Sequence, residues 1–260
     1  KATTAGWAAQ SFGSTLSFDT GSVEFVEGDT LTGGTSGATA TVERVVLQEG
    51  AWDGTAVGYV VLSGVTGTYT DGETITSAGG SAAANGVAEA ITLPAGGKYR
   101  IKTHNFFGIS NLRRAYIVNG MGQAHECDGT VLAPISTGVA SALDKPKFVG
   151  VVGTHLLLGY DGGSIQYSGT GLPLQWRALD GAGELGIGED ITGIKSNTKT
   201  ATIITGRNKV AYITGTSSAD FQVLDISEDS GALTDTLEVV GIPLFLDDRG
   251  VRDMSASDAF

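Results

Sequence analysis

Basic side chains are concentrated between residues 98 and 114, a stretch that contains no acidic residue. Lys98, Arg100 and Lys102 alternate along it, so on a strand they would share one face. Such a face can contact DNA phosphates in a channel, an acidic neighbouring subunit, or solvent alone, and the sequence leaves these three interpretations open. We call residues 98–114 the basic stretch. Its candidate binding residues are Lys98, Arg100, Lys102, Arg113 and Arg114, and His104 also lies in the stretch.

The densest group of potential metal ligands is His125-Glu126-Cys127-Asp128. A structural zinc site needs four ligands, usually as two spaced pairs, and this run offers only one such pair. On a strand, residues 125 and 127 share one face, which favours Cys127 as a core or half-buried strand residue. The sequence therefore predicts neither a metal site nor a cofactor.

No motif in the sequence specifies an enzyme. Nucleophilic catalysis needs a serine or cysteine beside a histidine and an orienting acid, and the chain has three histidines and no G-x-S-x-G motif. Asp247 and Asp248 are adjacent, so on a strand they would point to opposite faces and could not act as a facing carboxylate pair. The run from Gly28 to Gly33 has the spacing of a phosphate-binding loop, but Gly34 stands where that loop needs lysine. We interpret this run as a turn and expect a protein without enzymatic activity.

The composition is that of a folded, acidic, β-rich chain. Of its 260 residues, 16 are Lys or Arg and 28 are Asp or Glu, so the formal net charge is −12, which argues against broad coating of nucleic acid. The 40 glycines and many threonines suggest short strands joined by tight turns. A single cysteine excludes a disulfide framework within the chain, and no apolar run is long enough for a transmembrane helix. The chain begins without Met, so we expect it to be part of a longer product.

Charge and composition divide the chain near residue 97. Residues 1–97 carry 2 basic and 10 acidic side chains, whereas residues 98–260 carry 14 and 18. The first part is rich in Gly, Thr, Ala and Ser, and the second has more large apolar residues. We therefore predict two domains, a Gly/Thr-rich β module over 1–97 and a second β domain over 98–260.

The first domain contains an internal repeat with an offset of 44 residues. The segment FVEGDTLTGGTSGATATV, which starts at Phe25, aligns with YTDGETITSAGGSAAANGV, which starts at Tyr69. Gly28 then corresponds to Gly72, and Asp29 to Glu73. Each copy has a turn followed by a short alternating strand, so we predict a small antiparallel β module over residues 23–92.

The second domain repeats on a longer period. Four segments share the form strand, tight turn, strand, with turns near residues 120, 162, 207 and 249. Spacings of about 42–45 residues match the size of a propeller blade. We predict an all-β chain with propeller-like repeats, incomplete at about four blades; a β-sandwich or solenoid is the alternative. The acidic, glycine-rich run 180–190 lacks the order of an EF-hand, and we interpret it as a solvated loop between blades.

Two groups of motifs resemble virion proteins of tailed bacteriophages. GDTLTGGTSGATATV followed by VLSGVTGTYTDGETIT resembles a β module of such proteins, over about 70 residues. The run SIQYSGTGLPLQW from Ser164, followed by GIGEDITG from Gly186, resembles propeller-like proteins of tail hubs, tail nozzles and DNA-stabilisation proteins of short-tailed phages. That second likeness spans roughly residues 98–255.

The resemblance implies a structural virion protein, a tail hub, nozzle or adaptor component that shapes or closes the DNA exit channel. It further implies other tail or portal-adaptor proteins as partners, a homo-oligomeric ring, contact with packaged DNA, no membrane, and a place in the tail after assembly in the host cytoplasm. The alternative hypothesis is a carbohydrate- or receptor-binding propeller, possibly a tail-attached depolymerase. In that case Trp52, Trp176, Asp161 and Asp180 would contact sugar.

Overall fold

A computed structural model describes residues 2–3, 6–7, 11–108, 112–196 and 201–254. Apart from two single-turn 3₁₀ segments, its regular structure consists of β-strands that pair antiparallel, so the predicted all-β class is confirmed. The chain forms two compact units: residues 1–93 with 127–134, and residues 94–126 with 135–260. The short segment 127–134, which the sequence placed in the second domain, thus groups with the first unit.

The first unit is built on one sheet of seven strands. Two short strands, β1 (Ala2–Thr3) and β2 (Gly6–Trp7), pair with each other before it. The seven strands are β3 (Ser14–Val23), β4 (Thr30–Gly33), β5 (Thr39–Glu49), β6 (Ala56–Thr66), β7 (Thr74–Thr76), β8 (Ser81–Ala84) and β9 (Glu89–Ala90). Their order is β6-β5-β4-β7-β8-β3-β9, and β3 also pairs with β6. The predicted module began at residue 23 and so omitted β3, which pairs with β6, β8 and β9.

The internal repeat is visible in the backbone hydrogen bonds of the first unit. Gly28 N donates to Val42 O in one copy, and Gly72 N donates to Ala84 O in the other. Both glycines have positive φ, 92° and 75°, a conformation that glycine adopts without steric cost. The copies then pair directly, β4 against β7, with Thr32 opposite Thr76. The run 28–33 is therefore a turn and a strand, as predicted.

A buried carboxylate joins the two copies. Glu73 accepts hydrogen bonds from the backbone N–H groups of Thr35, Ser36 and Thr70 and from the Ser36 hydroxyl, at 2.6–2.9 Å. Burial would raise the pKa of Glu73, but these four donors outweigh it and lower the pKa to about 2. A Cβ at Gly33 would come within 3 Å of this carboxylate and of the Ser36 hydroxyl, so a larger residue there would displace them.

The core of the first unit collects the inward side chains of these strands. Phe18 and Phe25 are buried, and the Trp52 ring stacks on Phe18 with centroids 5.2 Å apart. Leu31 and Ile75, which occupy equivalent places in the two copies, are both fully buried. The repeat therefore contributes matching halves to one core.

The second unit contains most of a series of four small antiparallel sheets, and one strand of the first sheet lies in segment 127–134 except for its last residue. In each sheet, every strand pairs with the strand before and after it in the chain. The first sheet has β10 (Arg100–His104), β11 (Arg114–Val118), β12 (Ala124–Cys127) and β13 (Leu132–Ile135), and the second has β14 (Phe148–Val152), β15 (His155–Gly159), β16 (Ser164–Tyr167) and β17 (Gly183–Gly186). The third has β18 (Gly193–Ser196), β19 (Ala201–Thr205), β20 (Val210–Thr214) and β21 (Gln222–Ser227), and the fourth has β22 (Glu238–Val240), β23 (Ile242–Asp247) and β24 (Gly250–Asp253).

The four predicted hairpins hold the same place in the four sheets. Each turn, near residues 120, 162, 207 and 249, joins the second strand of its sheet to the third. Run 180–190, which we interpreted as a loop, contains β17. This strand pairs with β16, so that Gly186 lies opposite Ser164 and Gly183 lies opposite Tyr167. That interpretation was wrong because the edge strand is short and has a single apolar side chain, Leu185, which packs partly buried on the core.

The sheets pack face to face in chain order. We call the face that packs on the following sheet the trailing face, and the opposite face the leading face. The first contact joins Tyr116 and Val118 to Val149 and Val151. The second joins Phe148, Leu157 and Ile165 to Ile194, Ile204 and Ile213, and the third joins Ile203, Val210 and Tyr212 to Phe245 and Val239. Whether this series makes a propeller remains a prediction.

Candidate functional site: a cavity lined by the first strands of four sheets

The basic stretch leads into a cavity of about 280 Å³ inside the second unit. The first strands of all four sheets contribute to its wall. Its charged lining residues are Arg100, Lys102, Lys195, Asp235 and Glu238. The cavity therefore brings together residues that are up to 138 positions apart in the sequence, and it is the place where the basic stretch meets other charges.

Arg100 is the most firmly held of the predicted residues. Its guanidinium donates from Nε and one terminal nitrogen to the two carboxylate oxygens of Asp235, at 2.6 and 2.7 Å, and from the other to Lys147 O at 2.9 Å. It also lies over the Phe148 ring, 4.1 Å from the centroid. The Arg100 and Asp235 side chains are 18% and 22% exposed, so this ion pair is partly shielded from water. This two-pronged contact ties β10 to the segment that precedes β22.

Asp235 has an unusual backbone. Its φ is 65°, in the left-handed region, which Asp tolerates better than most residues with a side chain. Its N–H donates to Thr192 O at 2.9 Å, just before β18. Burial opposes ionisation, but hydrogen bonds from Arg100 and Lys98 lower the pKa of Asp235 below its ordinary value. Asp235 is thus a charged junction between the first, third and fourth sheets.

Lys102 is the surplus positive charge of the cavity. It is half-buried, and among the described residues it has neither a hydrogen bond nor an ion pair. Lys195, by contrast, is 2.9 Å from a Glu238 carboxylate oxygen. Burial, and then the nearby Lys195, lower the pKa of Lys102. Lys102 and Lys195 are each the third residue of the first strand in their sheets.

The other predicted residues have different places. Lys98 is exposed and pairs with Asp235 at 2.7 Å, whereas Arg113 is exposed outside the cavity lining. Arg114 is buried, 2.5 Å from Glu126, with its guanidinium over the Phe107 ring. Arg114 therefore stabilises the β11–β12 hairpin through contacts within this chain.

His104 lies on the same face of β10 as Arg100 and Lys102, with its ring 4.4 Å from that of Phe106. Burial, and then the positive charges of Lys102 and Arg113, lower the pKa of His104. The imidazole is therefore neutral at pH 7 and adds no charge to the basic stretch.

The dimensions of the cavity limit what it can hold. A volume of about 280 Å³ is near the lower limit for a small-molecule pocket. A DNA duplex, whose major groove alone is about 12 Å wide, does not fit. Of the basic-stretch residues that line the cavity, Arg100 is paired within this chain, and the predicted contact of the stretch with packaged DNA remains a prediction.

The remaining histidines are held by structural contacts. Burial lowers the pKa of His125 to about 4, so its ring is neutral at physiological pH. His155 is fully buried, with Nδ1 2.6 Å from Ser168 O, while the Ser168 hydroxyl donates to Gly169 O. The imidazole thus contacts the backbone oxygen of Ser168 and not its hydroxyl, so it does not activate this serine. Within the described ranges, no three His, Cys, Asp or Glu side chains converge as a metal site.

The residues considered for sugar binding each have contacts within their own unit. Trp52 is packed in the core of the first unit. In the second unit, Trp176 packs on the first sheet-to-sheet contact and donates Nε1 to Pro173 O, Asp180 pairs with Arg177, and Asp161 pairs with Lys147. Each of the two acids therefore has a cation of its own chain beside it.

Asp235, Glu238 and Lys195 line the candidate site, and the sequence analysis did not single them out. They lie far from the basic stretch in sequence and carry no motif. The usable signal was their position in the repeat, at or just before the first strand of a sheet. No protein-family model matches the chain, and no curated protein matches it. In the part of the chain that the structure describes, no helix has the length and apolarity needed to cross a membrane.

Proposed function

We propose that this chain is a non-enzymatic structural protein of a tailed-bacteriophage virion. It acts as a propeller-like component of the tail hub, nozzle or adaptor and works in several copies. The phage assignment depends on the resemblance of the two groups of motifs. The observation that carries the structural role is the series of sheets: four meanders in chain order, with their first strands around one cavity. Blades of a propeller are arranged in this way around a central channel.

The chemistry of the cavity supports a mechanical role. Its acids and bases are largely used to hold strands together, through Arg100–Asp235 and Lys195–Glu238. Such contacts fix the first strands of different sheets relative to one another and stiffen the unit. A DNA passage, in this proposal, is formed by a ring of copies and not by the cavity of one chain.

The direct test is to locate the gene product in purified phage particles. We expect mass spectrometry to find its peptides in particles, and electron cryomicroscopy to place its density in a tail ring of defined symmetry. Antibody labelling of the tail gives an independent measurement. Particles that lack the product, or a product found only free in the host lysate, would overturn the virion assignment.

The propeller arrangement has a separate test. An experimental structure of the second unit should show the four sheets arranged radially with β10, β14, β18 and β22 innermost. Sheets that stack linearly, as in a solenoid, would reject the propeller and leave the virion assignment standing.

A further inference from the structure

The wall of the cavity carries more positive than negative charge. Its charged side chains are three cations and two acids: Arg100, Lys102, Lys195, Asp235 and Glu238. Arg100 is matched by Asp235, and Lys195 by Glu238. Lys102 therefore has no counter-charge among the described residues, although the chain as a whole has a formal net charge of −12. A local positive surplus of this kind attracts anions.

Lys102 faces the interior of the series of sheets. It lies opposite Tyr116 in the β10–β11 register, and residues directly opposite one another in an antiparallel pair share a face. Tyr116 belongs to the trailing face of the first sheet, which packs on Val149 and Val151 of the second. The half-buried ammonium group of Lys102 is therefore directed toward other sheets of the same chain, between which the cavity lies.

Lys195 supplies a second ammonium group to the same cavity. Lys102 and Lys195 are equivalent residues, each third in the first strand of its sheet. In the second sheet, which lies between theirs in the chain, the third residue of β14 is Gly150, which lines the cavity and has no side chain. Burial, and then the charge of Lys195, lower the pKa of Lys102, so the two ammonium groups repel each other. An anion between them would remove this repulsion and give Lys102 a counter-charge.

The donors and the size of the cavity match an oxyanion. An ammonium group has three N–H donors, so Lys195 can keep its contact with Glu238, 2.9 Å away, and still donate to a ligand. Lysine binds phosphate as a point charge, through charge-assisted hydrogen bonds. A volume of about 280 Å³ accommodates an anion of the size of phosphate, whereas a DNA duplex does not fit.

We propose that the cavity binds one small oxyanion, with the size and charge of inorganic phosphate, between the ammonium groups of Lys102 and Lys195. The bound anion balances the charge of the wall and joins β10 of the first sheet to β18 of the third. The site binds and stiffens, and no covalent bond is made or broken. This inference goes beyond the proposed virion role and does not depend on it.

Titration of the purified chain with sodium phosphate at pH 7, in a Tris-chloride buffer, tests the site. We expect calorimetry to show saturable binding of one phosphate per chain. The melting temperature should rise with phosphate concentration, and sodium chloride of equal ionic strength should not produce this rise. Lys102→Met should weaken binding by about tenfold or more, because it removes the ammonium group that has no other partner. Lys102→Arg keeps the charge and should retain binding.

Phosphate should also reverse the order of stability of wild type and Lys102→Met. Without phosphate, the unpaired charge of Lys102 opposes folding, so the variant should melt at the higher temperature. With phosphate in excess, wild type should melt at the higher temperature, since the ligand binds the folded chain. A lysine with a purely structural role would not give this reversal. Equal rises in the two melting temperatures would overturn the proposal, as would the absence of saturable binding to wild type.

Lys145 provides the matched control. It is exposed and does not line the cavity. Lys145→Met removes the same charge from the chain, and we expect it to bind phosphate as wild type does. If Lys145→Met weakened binding as much as Lys102→Met, the attraction would depend on the charge of the whole chain, and the assigned site would be wrong.

A further titration separates a free anion from a phosphate group carried by nucleic acid. A short single-stranded oligothymidylate should bind more weakly than phosphate, because its sugars and bases do not fit in the cavity. An oligonucleotide that bound more tightly than phosphate, and whose binding Lys102→Met weakened, would show that the cavity is part of a nucleic-acid surface. That result would overturn the assignment to a free oxyanion.

The proposed function and the oxyanion site can fail separately. A chain that binds phosphate through Lys102 but is missing from phage particles contradicts the virion assignment alone. A chain found in the tail that does not bind phosphate contradicts the oxyanion site alone.

Discussion

The two units of this chain obtain similar β structure from opposite patterns of strand pairing. In the first unit, β3 pairs with β6, β8 and β9, so that Ser14 is opposite Leu62. In the second unit, each strand pairs with its sequence neighbour, as in the hairpin that places Phe148 opposite Gly159. The first unit must close long loops before its sheet exists, whereas the second builds each sheet locally and then stacks it.

This difference predicts different responses to damage. A sheet with non-local pairing has one core and one register, so a local defect destabilises the whole unit. A series of local sheets behaves more like a repeat protein, in which each element depends chiefly on its neighbours.

The units also use buried charge differently. Glu73 in the first unit accepts four hydrogen bonds from neighbouring donors of its own unit. The cavity of the second unit holds two ion pairs and one lysine, Lys102, that has no partner among the described residues. We therefore expect removal of a charged side chain to reduce the stability of the first unit most, and to have smaller effects on stability around the cavity of the second unit.

The largest effect is expected from Glu73→Ala. It leaves the N–H groups of Thr35, Ser36 and Thr70 without their acceptor, and we expect a loss of about 3 kcal/mol in the free energy of unfolding of the first unit. Hydrogen exchange measured by mass spectrometry should show faster exchange throughout β5 and β6, with β14 and β15 unchanged.

Asp29 provides the matched control for that experiment. It is the equivalent residue in the other copy of the repeat, and its carboxylate has no hydrogen-bond or ion-pair partner within the described residues. Asp29→Ala should change stability by less than about 0.5 kcal/mol. If the two substitutions lowered the free energy of unfolding equally, the two copies of the repeat would contribute equally to stability. The role assigned to Glu73 would then be wrong.

A second, pH-dependent effect should also be confined to the first unit. The pKa of Glu73 is lowered from 4.5 to about 2, so its ionised form stabilises the folded state. That contribution is complete above about pH 4.5 and is lost as the pH falls toward about 2. Because other carboxylates titrate in the same range, the quantity to measure is the difference between wild type and Glu73→Gln. This difference should shrink on acidification, and a constant difference would contradict the lowered pKa.

The sequence predicted best those features that are local in the chain. The hairpins of the second unit and the two copies in the first unit were recognisable because their turns and alternating strands lie within about twenty residues. β3 was missed because it has only two large inward residues, Leu16 and Phe18, and its partners are distant. β17 was missed because a polar edge strand has no apolar alternation to reveal it.

The candidate site was predictable only in part, for the same reason. The alternation of Lys98, Arg100 and Lys102 indicated a shared face, and Arg100 and Lys102 do share one on β10. The partner of Arg100, Asp235, lies 135 residues away, and only the folded chain shows that the charge is used internally. The burial of Arg114 depends on Glu126 across a hairpin, a contact that an adjacent pair of arginines does not suggest.

A moderate effect is expected at the Arg100–Asp235 pair. Asp235→Asn keeps a side chain that tolerates the left-handed backbone but removes the charge. We expect a loss of about 1 kcal/mol, more than a typical exposed ion pair because the contact is two-pronged and partly shielded. A double-mutant cycle with Arg100→Ala, measured by urea unfolding, isolates the coupling. As a control, Arg113→Ala, at an exposed residue outside the cavity, should leave stability unchanged. A coupling energy near zero would show that the Arg100–Asp235 pair does not stiffen the second unit.

The smallest effect, and the one of opposite sign, is expected at Lys102. Burial and Lys195 lower its pKa, so the charged lysine opposes folding at neutral pH. Stability should therefore rise as the pH increases through the lowered pKa toward the ordinary value of 10.5, because the unfolded chain still binds the proton that the folded chain has released. Lys102→Met keeps the apolar stem, removes the charge and should stabilise the second unit by a few tenths of a kcal/mol, about the size of a surface effect. Urea unfolding of the two proteins at neutral and alkaline pH measures this, and the advantage of the variant should disappear at the higher pH. A variant that is less stable than wild type at neutral pH would mean that Lys102 is favourably paired in solution, and the cavity would then have no surplus charge.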